Sequence, residues 1–291
     1  MNIVYLDGYT LNPGDLSWEP LEALGNFTVY DRTPAAQVVE RAAEADVILT
    51  NKVQLTEEVL KQLPQLQYIG VTATGYNNVD LSTARAQGIT VTNVKGYGTP
   101  SVAQHTFSLL LALTNRSELH SESVQAGEWA NAADWCYWKN PLVELSDKTM
   151  GLIGLGDIGM QVARIAQAFG MRVVAHRKSE APAGEGIELV ELEKLFRESD
   201  VVSLHCPLTE ETSGIINEGT LSLMKPTAFL INTARGPIVD GTALATALEN
   251  GQLGAAALDV VEKEPINPAD RLLKLPNCIV TPHIAGFSPL F

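Results

Sequence analysis

Cysteine is scarce in this 291-residue chain: Cys136, Cys206 and Cys278 are odd in number, far apart and form no C-x-x-C pair. That excludes a disulfide scaffold and a structural zinc site built on cysteine, and it points to a reducing compartment. Positive charge is also short. The 20 Lys and Arg face 34 Asp and Glu, for a net charge of −14 and a pI near 4.8. General affinity for nucleic acid or an anionic membrane surface is excluded with it, because binding phosphate relies on clustered cations. An anionic substrate must therefore be held by a local basic site. No apolar run approaches the ~20 residues of a membrane helix. The opening MNIVYLDGYT carries an acid and lacks the basic n-region and long apolar core of a signal peptide, so a cytoplasmic protein is expected. What is present, 45% apolar and 19% charged residues over this length, is enough for two domains that need no staple.

The most informative stretch is Lys148 to Lys178, which reads as strand, glycine turn, helix and strand. An apolar run holding Met150, Leu152 and Ile153 leads into Gly154, Gly156 and Gly159, spaced G-x-G-x-x-G, and then into a helix with apolar Ile158, Val162, Ile165, Ala166 and Phe169. Glycine spacing alone is a weak signal, and a structural turn is its bland explanation. The complete strand–turn–helix–strand context points to a dinucleotide site. The second strand, Met171 to Ala175, carries an anomaly. An NAD site usually has an acid about 20 residues after the first glycine, to take the ribose 2′-hydroxyl. Here no acid occurs from Met171 to Ser179, and His176, Arg177 and Lys178 stand in its place. A cationic pair would suit a 2′-phosphate, so NADP is favoured over NAD, although two solvated basic residues are the plain alternative.

Residues 1–98 alternate short strands (2–6, 28–30, 47–50, 68–71, 90–92) with helical stretches, which indicates a small parallel-sheet α/β domain. The loop after its fourth strand, Thr72 to Asn78, is rich in small residues. It is either a carboxylate-binding loop, through Thr74 and Gly75, or a surface turn. Pro100 to Asn115 reads as a helix capped by Thr99 or Ser101, apolar enough to be buried between domains or subunits. His105 within it reads as a packed core histidine. Three of the four tryptophans fall in EWANAADWCYWKNP, marking an interface, a pocket wall or packing against a neighbouring domain. The wound pattern then continues, with strands 201–205, 228–232, 255–258 and 279–281.

Arg235, Glu264 and His283 lie at or beyond the ends of these last strands. Each has a bland reading as surface cation, loop acid or cap. Together they match the needs of hydride transfer to a 2-keto acid: a guanidinium for the carboxylate and polarised carbonyl, and an imidazole backed by a carboxylate to exchange the proton.

GLGDIG, HCPLTEET, MKPTAFLINTARGPIVD, AALDVVEKEP and TPHIAG, in that order, resemble the D-isomer-specific 2-hydroxyacid dehydrogenase family over nearly the whole chain. ATGYNNVD, NVKGYGTPSVAQHT and DWCYWKNPLVELSDKT look like its glycerate dehydrogenase or hydroxypyruvate reductase branch, close to the glyoxylate reductases. The resemblance implies an α/β fold of two wound parallel-sheet domains, a Rossmann domain over residues 99–286 and a flavodoxin-like substrate domain over 1–98, and a homodimer held around Pro100. It makes Arg235 the substrate-binding arginine, Glu264 the partner of His283, and His283 the proton-exchanging residue. Thr74 and Gly75 become the substrate-carboxylate loop. Cofactor contacts fall on Thr74, Gly154, Gly156, Asp157, Ile158, Gly159, Cys206, Pro207, Thr212, Thr233, Ala234, Arg235, Asp259 and His283 through Gly286, with Arg177 and Lys178 at the ribose. The expected reaction is reduction of hydroxypyruvate or glyoxylate. In the family a helix after the PH histidine returns to complete the substrate domain, whereas this chain ends at Phe291, with 287–291 as a remnant of that segment. A dinucleotide-binding protein without turnover, either a sensor or a truncated remnant, is therefore the alternative expectation.

Overall fold

In the computed structural model, residues 1–178 and 183–286 are described, and the chain divides into two compact units, Met1–Tyr97 and Gly98–Phe291. The expected remnant at 287–291 lies outside the described residues.

The first unit is built on β1 (Asn2–Tyr5), β2 (Asn26–Val29), β3 (Val47–Thr50), β4 (Tyr68–Val71) and β5 (Thr90–Asn93). They form one parallel sheet in the order β2-β1-β3-β4-β5, the flavodoxin-like winding, whose direction reverses between β1 and β3. Ile48, Ile69, Val71, Leu60 and Leu66 fill its core.

The second unit carries β6 (Thr149–Ile153), β7 (Arg172–His176), β8 (Ile187–Leu189), β9 (Val201–Leu204), β10 (Phe229–Asn232), β11 (Ala255–Leu258) and β12 (Cys278–Val280). All pair in parallel, in the order β12-β11-β10-β9-β6-β7-β8. This is the Rossmann order with an added edge strand, and its winding reverses between β6 and β9. Edge strand β8 is missed by the sequence reading, because three residues flanked by polar sequence carry no usable periodicity.

The long helix spans Thr99–Asn115, with Gly98 rather than Thr99 or Ser101 at its cap, and Pro100 in the first turn, where its missing N–H costs nothing. Its burial has a source within the unit itself. Ala103, Phe107, Leu110 and Leu113 share a cluster with Met150, Leu152, Ile231 and Ala257 of the sheet, and Phe107 stacks on Phe169 at 5.4 Å. The short alanine side chains of β11 leave room for a helix to lie close on this face. On the other face Leu195, Phe196, Leu221, Leu244 and Leu248 complete a second core layer. The apolar face of this helix is thus accounted for without a second subunit.

Candidate active site

The strand ends of the second unit carry two groups of candidate residues, one at the switch point and one toward β12. At the switch point, Gly154 follows β6 with φ of 97°, a left-handed conformation that favours glycine. Gly156 caps the Asp157–Ala168 helix without a side chain, and a Cβ there would meet open space. A Cβ on Gly159 would run into the Gly154 carbonyl oxygen, so only glycine lets the helix approach the strand this closely. The helix therefore starts with exposed N–H groups and clear space before them, which fits a pyrophosphate at a helix N-terminus. Asp157 and Ile158 form its first turn.

Lys178 pairs with Glu211 across solvent, Nζ to Oε1 3.1 Å. Glu211 also accepts the Thr209 hydroxyl, and these contacts hold its carboxyl down at about 2. Arg177 differs from its neighbour: its Nε and Nη2 are shielded from solvent and have no hydrogen-bond partner among the described residues. A cavity of about 380 Å³ beside it is lined by His176, Arg177, Val190, Glu191 and Lys194. The loop after β9 is closed by Thr212, whose hydroxyl donates to the Pro207 carbonyl at 2.7 Å and accepts from the Thr209 N–H at 2.8 Å. Cys206, at its start, is buried, and burial pushes its thiol up to about 11. It is a packing residue beneath the loop and a poor nucleophile.

Arg235, Glu264 and His283 follow β10, β11 and β12, three adjacent strands. Glu264 places Oε2 2.6 Å from Nδ1 of His283, and its Oε1 accepts the Val261 N–H at 3.2 Å. The loop before it is pressed against Gly236: any Cβ there would collide with the Val261 carbonyl oxygen, so only glycine lets the arginine loop and the glutamate loop meet. Asn232, fully buried, shapes that arginine loop. Its side chain accepts the Ala234 N–H at 3.0 Å and donates to the Arg235 carbonyl at 2.9 Å, while Arg235 Nη1 donates to the Ala234 carbonyl at 2.6 Å. Thr233 touches Thr106 of the long helix, hydroxyl to hydroxyl at 3.1 Å.

His283 has φ of 56°, a strained setting for a residue with a side chain. The strain is held by Asp259, 1% exposed, whose carboxylate takes the N–H groups of Ile284 at 2.9 Å and Ala285 at 2.8 Å and the Thr281 hydroxyl at 2.6 Å. Gly286 ends this turn against Gly98. His105 is half-buried and reaches the same network, so it is a polar member of the site's support rather than a packed core histidine. Asn232, Thr106 and the supporting role of Asp259 escape a sequence reading. The signal available was the polar residue that interrupts or ends each apolar run.

In the first unit, Thr74 follows β4. Its hydroxyl donates to the Val94 carbonyl at 3.0 Å, and its own carbonyl accepts from Asn93 at 2.7 Å, which leaves the Thr74–Gly75 loop ordered at a strand end. Asp7, also buried, takes the N–H groups of Asn51 and Lys52 at 2.8 and 2.6 Å, fixing the loop after β3.

The sequence profile of the D-isomer specific 2-hydroxyacid dehydrogenase NAD binding domain matches residues 107–285. The chain belongs to the D-isomer-specific 2-hydroxyacid dehydrogenase family. Relatives in this family include a hydroxypyruvate reductase of Blautia hydrogenotrophica, 46% identical over 98% of this chain and 90% of that one. A glyoxylate reductase of Aeropyrum pernix is 42% identical over 92% of this chain and 83% of its own. Among solved structures, an acyclic imino acid reductase in complex with NADPH and D-Arg superposes with a TM-score of 0.87 at 33% identity, over 99% of this chain and 91% of that one. Like other members of the family, the chain is an oxidoreductase of small 2-hydroxy and 2-keto acids that works with a nicotinamide cofactor. No helix among the described residues is long and apolar enough to cross a membrane.

Proposed function

We propose that this chain reduces hydroxypyruvate or glyoxylate to the corresponding D-2-hydroxy acid or glycolate, with NADPH preferred over NADH. The observation that carries the proposal is the His283–Glu264 pair, Nδ1 to Oε2 2.6 Å, one strand away from the Arg235 loop. A reduced nicotinamide cofactor, held by its pyrophosphate at the glycine turn, would supply the hydride. Arg235 holds the substrate carboxylate and polarises the keto oxygen through its guanidinium fork. Glu264 accepts Nδ1–H of His283, which fixes the ring and leaves Nε2 to deliver a proton to the carbonyl oxygen as the carbon receives the hydride. Backbone N–H groups at Thr74 and Gly75 are the proposed second contact of the carboxylate.

The choice of NADPH rests on Arg177. Two shielded guanidinium nitrogens without a partner among the described residues, at the end of a strand that has no acid, favour a dianionic 2′-phosphate over a ribose hydroxyl. The homodimer belongs to the same proposal. Trp129, Trp135 and Trp138 are 52%, 87% and 69% exposed in the single chain, an amount of aromatic surface that suits contact with a second copy. A cytoplasmic location fits the three free thiols.

The test is a panel of 2-keto acids assayed with NADPH and NADH. Hydroxypyruvate and glyoxylate should lead with NADPH. Turnover of none of the panel, by protein that binds NADPH, would remove the reading in favour of a binding protein.

A further inference from the structure

Two consecutive residues of the long helix reach the two loops that carry the reacting groups. His105 puts Nε2 3.1 Å from the Thr281 hydroxyl and 3.4 Å from Oδ1 of Asp259. The Thr281 hydroxyl has one proton, and it is spent on Oδ1 of Asp259 at 2.6 Å. The hydroxyl must then accept from His105, so the ring carries its proton on Nε2 and the direction of the relay is set: His105 to Thr281 to Asp259. The same reasoning applies next door. Thr106 gives its proton to the Val102 carbonyl at 2.8 Å, so its 3.1 Å contact with Thr233 is donated by Thr233.

Asp259 is nearly inaccessible, and besides the relay its carboxylate binds the N–H groups of Ile284 and Ala285 in the turn of His283, which sits in the left-handed region. A non-glycine residue in that region is strained and persists only where its surroundings hold it there. The hold here is the Asp259 carboxylate together with the His283 N–H, which donates to the Asp259 carbonyl at 2.8 Å, and that carboxylate in turn is contacted by Thr281 and His105.

We propose that His105 is a positioning residue: acting through Thr281 and Asp259 it sets the turn that presents His283, and with Thr106 it registers that turn against the Arg235 loop. The proposal rests on the reading above, in which this turn meets the nicotinamide end of the cofactor. His105 itself touches no reacting atom.

The experiment compares wild type with His105→Leu, which removes the N–H donor, His105→Gln, which keeps one, and Thr281→Val, which breaks the relay one step further along. Each is assayed for steady-state reduction of hydroxypyruvate and glyoxylate. Binding of NADPH and NADH is followed by nicotinamide fluorescence, and binding of ADP-ribose, which lacks the nicotinamide, by calorimetry. His105→Leu and Thr281→Val should each lower kcat about 10- to 100-fold, the scale of a misplaced catalytic group, with KM for the keto acid little changed. Their combination should do no more harm than either alone, since both cut one chain of contacts. His105→Gln should recover most of the rate. Reduced cofactor should bind more weakly while ADP-ribose binds as before. Unchanged kcat and cofactor binding in His105→Leu, or equal damage from Leu and Gln, would overturn the proposal, the second by showing a packing role. Wild type that turns over no keto acid would defeat the functional reading alone. The comparison of reduced cofactor with ADP-ribose would still decide the role of His105.

Discussion

Nδ1 of His283 lies 2.6 Å from Oε2 of Glu264, two residues 19 apart in sequence, brought together at the ends of neighbouring strands. The other glutamate oxygen is tied to the Val261 N–H, so the carboxylate is held from behind while it holds the ring. A group fixed in this way has one ring nitrogen left for substrate.

His283→Ala should therefore lower kcat for keto-acid reduction by about 10²- to 10⁴-fold, the usual worth of a positioned general acid, with NADPH binding retained. Glu264→Gln keeps the shape but loses the charge, and should cost roughly tenfold or more in kcat with a smaller change in KM. Steady-state kinetics beside a fluorescence titration of NADPH check both. Full activity in either variant would remove that residue from the proton path.

Arg177→Asp should reverse cofactor choice. A charge-assisted hydrogen bond is worth about 1.5–3 kcal/mol, so the NADPH to NADH ratio of kcat/KM should fall at least about tenfold. A wild type that already prefers NADH would show that the Arg177 guanidinium serves something other than a 2′-phosphate.

Gly236→Ala places a methyl group where the Val261 carbonyl oxygen stands. The loops of Arg235 and Glu264 must then separate, at a cost of about 1–3 kcal/mol in urea-unfolding stability, and kcat should fall with it because both loops move. A variant as stable and as active as wild type would mean that the two loops need not touch.

Acid stability should carry the mark of His205. Burial beneath the glycine turn lowers its pKa from 6.5 to about 4, and its Nε2 lies 2.9 Å from the Ser203 hydroxyl. Between those two pH values the unfolded chain binds a proton that the folded chain refuses, so the stability present above pH 6.5 is lost progressively toward pH 4. The residue keeps a partly accessible edge, which limits the loss to about 2 kcal/mol. His205→Gln, which does not titrate, should flatten this part of the profile in urea titrations at pH 7 and pH 4.5. An unchanged slope would assign the acid sensitivity to other groups.

Local pattern determined much of this protein. The run from Lys148 to Ala175 has the apolar spacing of strand, helix and strand with glycines between, and those features depend only on near neighbours in sequence. The same holds for the alternating elements of residues 1–98, and for Arg235, Glu264 and His283 standing past strand ends. Tertiary structure decided what those residues do to one another. Partner choice across a parallel sheet depends on which strands become neighbours: Asp259 binds the N–H groups of Ile284 and Ala285, 25 and 26 residues away, because β11 lies beside β12. His105 joins a threonine 176 residues on because its helix packs over the same sheet. Burial then gives these long-range hydrogen bonds their weight, since a carboxylate shut away from water must find its donors within the protein.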